Sequence, residues 1–239
     1  MSTPWLNVTV CIPTHNDTDV LHNALMSALK QTVPPLEVIV VDDGSDSEVV
    51  VLEEPDDYPH TPVRVVRVTN RGLPAARNVG LMLAHGDAYL PLDADDTIRE
   101  DYLELTLPLI ADADVVLTGL QEHGPTRNGR YNAGFDRPWH EVTVDLLLNG
   151  YNRFFYAALF RTDVLRSIGG YNSLMAGPWN RGGGYEDWDL WVDLLSRGAR
   201  FAAVDEPLLN YTTRPGSMLA AAERNRAALV AEMRRHHRR

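Results

Sequence analysis

The chain has 239 residues, a formal net charge of -11 and 44% hydrophobic residues. That is enough for one large α/β domain or two small ones, and it excludes the disordered and fibrous classes. The acidic balance argues against a nucleic-acid binder, a class that needs Lys and Arg to neutralise phosphates.

From the N-terminus, Val8 to Ile12 reads as a strand, and its Cys11 is the single cysteine of the chain. One cysteine rules out an intramolecular disulfide; a buried apolar thiol in a reducing compartment is expected. Asp17 can cap a helix in which Leu21, Leu25, Ala28 and Leu29 recur at helical spacing up to Pro34. Glu37 to Val41 is a continuous apolar strand ending in Asp42-Asp43-Gly44-Ser45. This strand, helix, strand order predicts a βαβ unit with parallel strands. Val63 to Val68 follows as a third strand, then a helix with Pro74 near its first turn and a stop at Gly86.

Ala88 to Leu92 is the fourth strand, and it opens directly into Asp93, Asp95 and Asp96. Carboxylates this close repel and raise one another's pKa unless a divalent cation offsets the charge, and oxygen ligands suit Mg²⁺, Mn²⁺ or Ca²⁺. Ligands of open α/β sheets bind outside the carboxyl ends of strands. Two acidic strand ends therefore predict one crevice for a nucleotide and a metal, although Asp, Gly and Ser also serve simply as turn residues.

Beyond Asp96 the pattern loosens. A helix is expected from about Arg99 to Ile110, a strand at Asp114 to Thr118, and a loop or short hairpin from Gln121 to Pro138. Tyr156 to Phe160 reads as a strand and Thr162 to Ile168 as a short helix closed by Gly169-Gly170. Gly182 to Gly184 precede a helix from Tyr185 to about Arg197, and Ala199 to Val204 and Leu208 to Thr213 read as two strands. Met218 to Arg235 has a helical composition. The expected organisation is one domain over 1-239, with a nucleotide-sugar-binding half to about 97, an acceptor half from about 98 to 217, and a C-terminal helix with a basic tail from about 218.

Four segments in order resemble the family 2 glycosyltransferases of the GT-A fold. They are VCIPTHN at the first strand's end, VIVVDDGSD at the second, GLPAARNVG with LPLDADD in the middle, and GGYEDWDLWVDL late in the chain. The resemblance spans about residues 8 to 217. It implies a Rossmann-like nucleotide-diphospho-sugar transferase fold with a mostly parallel central sheet flanked by helices. It implies also a non-processive enzyme that moves a sugar, with inversion, from a UDP, GDP or dTDP type of donor to a hydroxyl or amine of a glycan, lipid-linked or small-molecule acceptor.

By the same resemblance Pro13, Thr14, His15 and Asn16 line the nucleotide, and Asp43 hydrogen-bonds the base or ribose. Asp93-Ala94-Asp95 matches the family's D-x-D signature, with Asp93 toward the ribose and Asp95 holding Mg²⁺ or Mn²⁺. Asp96 caps the next helix or acts behind the metal ligand. Glu186-Asp187 matches the E-D motif in which the second acid is the catalytic base, although acids in a helix's first turn also serve the macrodipole. Trp188 either stacks on an acceptor sugar or packs in the core, where Trp191, Leu194 and Leu195 form the expected stripe. Trp179 is a second acceptor candidate. For Arg77 and Asn78, donor contact and helix-to-loop bracing are both open, and Arg71 and Arg214 are guanidinium candidates for the diphosphate. His15 stands where many members have an aromatic residue, which puts base stacking there in doubt. The Gln/Arg-x-x-Arg-Trp signature of processive members is absent from the sequence.

Other classes fit less well. No G-x-G-x-x-G, Walker loop or Gly-x-Ser-x-Gly occurs, and the eight His show no zinc spacing. A nucleotidyltransferase of similar fold is disfavoured because Pro13-Thr14-His15-Asn16 replaces the Gly-rich basic loop such enzymes carry. A non-catalytic nucleotide-sugar binding module is disfavoured by the presence of both Asp95 and Asp187. No charged leader precedes a long apolar run, and no stretch approaches the ~18 to 20 apolar residues of a membrane span. The expected location is cytoplasmic. The basic tail, Arg234, Arg235, Arg238 and Arg239 around His236-His237, is either a solvated helix end or a contact with anionic lipid on the membrane's inner face. A homodimer is left open.

Overall fold

A computed structural model describes residues 6–50, 61–125, 128–133, 138–152, 154–176, 184–214 and 225–237. Its first half follows the apolar periodicity closely. β1 (Val8–Thr14), α1 (Thr18–Leu29), β2 (Glu37–Asp42), β3 (Val63–Arg67), α2 (Leu73–Leu83) and β4 (Ala88–Pro91) come in that order. A two-residue strand β5 (Thr97–Ile98) leads into α3 (Tyr102–Ile110). Then come β6 (Val115–His123), β7 (Gly129–Tyr131), α4 (Val144–Leu148), β8 (Leu159–Arg161), α5 (Thr162–Ser167), α6 (Glu186–Ser196), β9 (Phe201–Thr212) and α7 (Arg226–His237).

The strands form one sheet in the order β3-β2-β1-β4-β8-β6-β9-β5, with β7 paired to β6. β1 is parallel to both β2 and β4, and β2 to β3. The chain therefore runs outward from β1 to β3, then returns to place β4 on the other side of β1. That reversal opens a crevice at the carboxyl ends of β1 and β4, where a side chain is not shut in by a crossover helix.

The second half departs from the mostly parallel expectation. β8 is antiparallel to both β4 and β6, β7 to β6 and β5 to β9, while β6 and β9 are parallel. The sheet is mixed, though its long ladders are parallel. The region after Gln121 is a hairpin, because β6 continues to His123 and turns back into β7. The two strands expected between Ala199 and Thr213 are one strand, β9, whose register against β6 shifts around Gly119. Pro207 sits at that shift, where a missing N–H breaks no regular ladder bond. Gly119 is required there: a Cβ would lie 2.4 Å from the Tyr131 carbonyl and 2.8 Å from that of Glu206.

Alternation along the central strands builds two cores. Val10, Ile12, Val38, Val40 and Leu90 pack with α1 and α3 on one face. Cys11, Ile39, Val41 and Tyr89 pack with α2, α5, α6 and α7 on the other. Both faces being covered explains why β1, β2 and β4 are buried throughout and mostly apolar. β3 is the exposed edge, and Arg64 and Arg67 blunt it. Trp191 lies within the second core, stacked on Phe160 at 5.4 Å and edge-on to Phe154 at 5.5 Å. Among the described residues no helix is long and apolar enough to cross a membrane.

The tightest seam between the sheet and α2 is at Gly80. A Cβ there would come within 2.2 Å of Cys11 Sγ and 3.1 Å of the Tyr89 hydroxyl. Ala is the better helix former by ~1 kcal/mol, but overpacking a closed core costs about 1 to 3 kcal/mol and should win. Gly80→Ala is expected to lower unfolding stability in urea, and adding Cys11→Ala should restore most of the loss. A more stable Gly80→Ala variant would contradict this packing.

Candidate active site

The crevice begins with two braced loops. Asn16, after β1, has a left-handed backbone (φ 62), a conformation that Asn tolerates better than most residues. Its N–H donates to Ser45 Oγ at 2.9 Å, and its side chain accepts from the Asp46 N–H at 2.8 Å. Pro13 and Thr14 are buried beneath this turn, whereas His15 is exposed with Asn70 Nδ2 3.2 Å from its ring. The buried Asp43 carboxylate accepts the Arg71 N–H at 2.9 Å and the Gly72 N–H at 2.7 Å. It thereby fixes the loop that starts α2. Asp43 and Arg71 also line a cleft of about 380 Å³ with Arg67, Val68, Thr69, Ala75 and Val79.

The three acids after β4 have three environments. The Asp93 N–H donates to Tyr156 Oη at 3.0 Å, and its Oδ1 accepts Arg77 Nη2 at 2.6 Å. Ala94 is buried between its acidic neighbours. Asp95 lies about a third open to solvent, with Arg214 Nη2 3.4 Å from its Oδ2. Burial and the nearby Asp93 charge push its pKa up to about 6 against the opposing pull of Arg214. Asp96 is 1% exposed and accepts the Tyr156 hydroxyl at 2.6 Å and the Thr212 N–H at 2.7 Å. Burial and then Asp93 hold its carboxyl well above the usual range. Asp96 thus ties the D-x-D turn to Tyr156 and the end of β9 and caps no helix; α3 starts after Asp101.

Arg77 joins the two ends of the site. It projects from α2, is 1% exposed, and places Nη2 2.6 Å from Asp93 and Nη1 2.6 Å from Glu186. The rings of Tyr156 and Tyr171 lie 5.0 and 5.3 Å from its guanidinium carbon. Arg77 thus braces α2 against the end of β4 and the start of α6, and Asn78 likewise donates to the Tyr171 carbonyl at 2.7 Å.

The start of α6 follows a left-handed Gly184-Tyr185 pair, φ 110 and 66. Glu186 is buried on Arg77, whereas Asp187 is only half-buried, its Oδ1 accepting the Trp188 N–H at 2.7 Å. Burial and then the Glu186 charge raise Asp187 to about 7. Burial also pushes the Tyr211 hydroxyl up, and Asp96, Asp93, Asp95 and Asp187 all add to that shift.

One acceptor candidate is corrected. Trp188 is 1% exposed, packed edge-on to Tyr185 at 4.9 Å with the Arg226 guanidinium 5.4 Å from its ring, so it belongs to the core. Trp179 lies outside the described residues. Arg214 stands between Asp95 and Asp17, 3.4 and 3.5 Å away. Tyr156 and Tyr171 are site residues that sequence reasoning missed, since nothing in local spacing distinguishes a tyrosine over a guanidinium from a core tyrosine.

A family model, Glycosyl transferase family 2, matches residues 9–169. The chain belongs to that family. Similar proteins include an uncharacterized glycosyltransferase of Haemophilus influenzae, 33% identical over 112 residues, 46% of this chain and 45% of that protein. The putative glycosyltransferase EpsH of Bacillus subtilis is 31% identical over 174 residues, 70% of this chain and 50% of that protein. The chain spans half or less of the length of the curated relatives it matches. Among solved structures, Staphylococcus aureus TarS 1-349 in complex with UDP-GlcNAc superposes with a TM-score of 0.67 at 24% identity, over 90% of this chain and 60% of that one. The fold is GT-A.

Removing one member of a buried ion network leaves its partners charged and unsolvated, at about 3 to 5 kcal/mol. Arg77→Met is therefore expected to lower unfolding stability by that order, measured in urea, and adding Glu186→Gln should recover part of it. An Arg77→Met protein as stable as the parent would remove the bracing role.

Proposed function

We propose that this domain transfers one sugar per encounter from a nucleoside-diphosphate sugar to an acceptor hydroxyl or amine, with inversion, Asp187 serving as the base. The observation that carries this reading is the half-buried Asp187, raised to about 7 and tied through Glu186 and Arg77 to Asp93. A general base works best with a pKa near the operating pH, and a surface carboxylate near 4 would be too weak. Glu186 has its charge committed to Arg77, so it orients the helix start and leaves the proton to Asp187. Inversion follows if the acceptor oxygen attacks from the face opposite the diphosphate.

On the donor side, the Asp43 and Arg71 cleft is sized for a nucleotide base and sugar, and the braced Pro13–Asn16 turn forms its neighbouring rim. TarS with UDP-GlcNAc makes a UDP type of donor the first to try. The carboxylates fit a hard cation: Asp95 is accessible, oxygen-only and electrostatically unsatisfied enough to stand near 6. Asp95, with Asp93 behind it, would hold Mg²⁺ or Mn²⁺. Bound there, such an ion offsets the charge that grows on the departing nucleoside diphosphate. Arg214 and Arg71 would meet the same phosphates. Trp179 keeps its proposed acceptor role; Trp188 does not. The acceptor is a glycan, lipid-linked or small molecule.

Two measurements test the proposal. First, release of nucleoside diphosphate from a UDP-sugar with Mn²⁺ should fall about tenfold per pH unit below about 7 and level off above it, since only the deprotonated Asp187 accepts a proton. Asp187→Asn should lose about 10² to 10⁴ of this rate with donor affinity retained. Because the raised pKa means that folding penalises the charged form, the same variant should be more stable than the parent at pH 8 and lose that advantage below pH 4. Second, Asp95→Asn should abolish the Mn²⁺ dependence of donor binding while leaving the thermal midpoint of the metal-free protein within a few degrees. Undiminished Mn²⁺-dependent affinity would remove Asp95 from the metal role, and a flat pH profile with a fully active Asp187→Asn would remove the base.

A further inference from the structure

A second cluster lies away from the crevice, between α6 and α7. His237 Nε2 stands 2.9 Å from Asp189 Oδ1, and both side chains are almost enclosed, at 7% and 4% exposed. The neighbouring His236 turns its ring edge-on to that of His237 with centroids 4.8 Å apart. One donor atom from each of Asp189, His236 and His237 falls within 4.8 Å of the other two. A His237–Asp189 hydrogen bond alone would account for two of these residues and gives no reason for the third. Arg234 and Arg235 do not enter the cluster: Arg234 donates to the Leu148 carbonyl at 2.6 Å, and Arg235 pairs with Glu232.

We propose that Asp189, His236 and His237 form a metal site of the Zn²⁺ class that fastens α7 to α6. Two imidazoles and one carboxylate are a donor set for Zn²⁺ and its neighbours, whereas Mg²⁺ prefers oxygen alone, so this site is chemically separate from the crevice. Zn–N bonds of ~2.0 Å in a tetrahedron set the ligand atoms about 3.4 Å apart. The His237–Asp189 pair has to open by about half an ångström, and the exposed His236 ring has to swing in by up to about one and a half. Zn²⁺ then replaces the proton shared by His237 and Asp189, and water takes the fourth position. The consequence is mechanical. Asp189 lies on the first turn of the helix that begins with Glu186 and Asp187, so loading the site pins that helix from behind to an element whose Leu229, Val230 and Met233 already pack against it.

The test uses the full chain prepared without a polyhistidine tag and stripped by a chelator, with Zn²⁺ alone as the probe. Calorimetry should show one strong equivalent, and in Asp95→Asn, which lacks the crevice ligand, Zn²⁺ but not Mg²⁺ should raise the thermal midpoint. His236→Ala, at an exposed position, should fold normally and weaken Zn²⁺ binding by at least about tenfold, the loss that even an outer partner of a metal ligand causes. His237→Ala should weaken Zn²⁺ binding likewise, and Asp95→Asn should keep the equivalent. The proposal is overturned if the parent binds no strong equivalent, if both histidine variants bind as tightly as the parent, or if the equivalent disappears in Asp95→Asn instead.

Discussion

A guanidinium enclosed by two carboxylates and two tyrosine rings is the contact on which the rest of the site depends. Arg77 cannot leave its pocket without stranding Asp93 and Glu186, which come from the end of β4 and the start of α6. Desolvating a cation costs several kcal/mol, and it is offset only while both partners hold their geometry. The ion network therefore acts as a position sensor: it is favourable for one arrangement of α2, β4 and α6 and unfavourable for neighbouring ones. That demand explains the left-handed backbone at Tyr185, a conformation that a bulky residue adopts only when its surroundings over-determine it.

The sheet delivers the carboxylates to this guanidinium by its connectivity. Because the order reverses at β1, the carboxyl ends of β1, β2 and β4 face one crevice, and each of these strands has its turn acids or polar residues there. β9 closes the far side, with its Thr212 N–H on Asp96. Tyr156 serves both ends, donating to Asp96 while accepting from the Asp93 N–H. The two acids that flank Asp95 are thus immobilised, one by Arg77 and one by Tyr156 and β9, and Asp95 is left as the accessible one.

What could be read from the sequence was what is written locally. Apolar runs gave β1, β2 and β4, and the acids that close β2 and β4 gave the two acidic turns, because burial on both faces and charge at a strand end are properties of a few consecutive residues. β9 was divided in two by Pro207 and the acids before it, since only the partner strand's register shift at Gly119 shows that the proline breaks nothing. Trp188 was ambiguous for a similar reason: the helical period places it beside the core stripe, and the cover that makes it core, Arg226 on α7, lies far along the chain. The bracing by Tyr156 and Tyr171 was illegible. Tyr156 is one tyrosine in an apolar run and Tyr171 follows a Gly-Gly turn, and the partner of each is another segment's charge.

Asp95 and Arg214 show how donor and cation would depend on each other under the proposed function. In the absence of either, the Arg214 guanidinium at 3.4 Å offsets part of the charge of Asp95, yet the carboxyl still stands near 6. A diphosphate entering this crevice alone meets Asp95 and Asp93 at close range, and in a partly desolvated site such like-charge contact is unfavourable. For a divalent ion alone, Asp95 and Asp93 would be favourable partners, but Asp95 would have to give up Arg214. With both present, Asp95 would hold the ion and the Arg214 guanidinium would be free to meet the diphosphate, so each would stabilise the other's binding. Such coupling is reciprocal by thermodynamic necessity: whatever factor the cation adds to donor affinity, the donor adds to cation affinity.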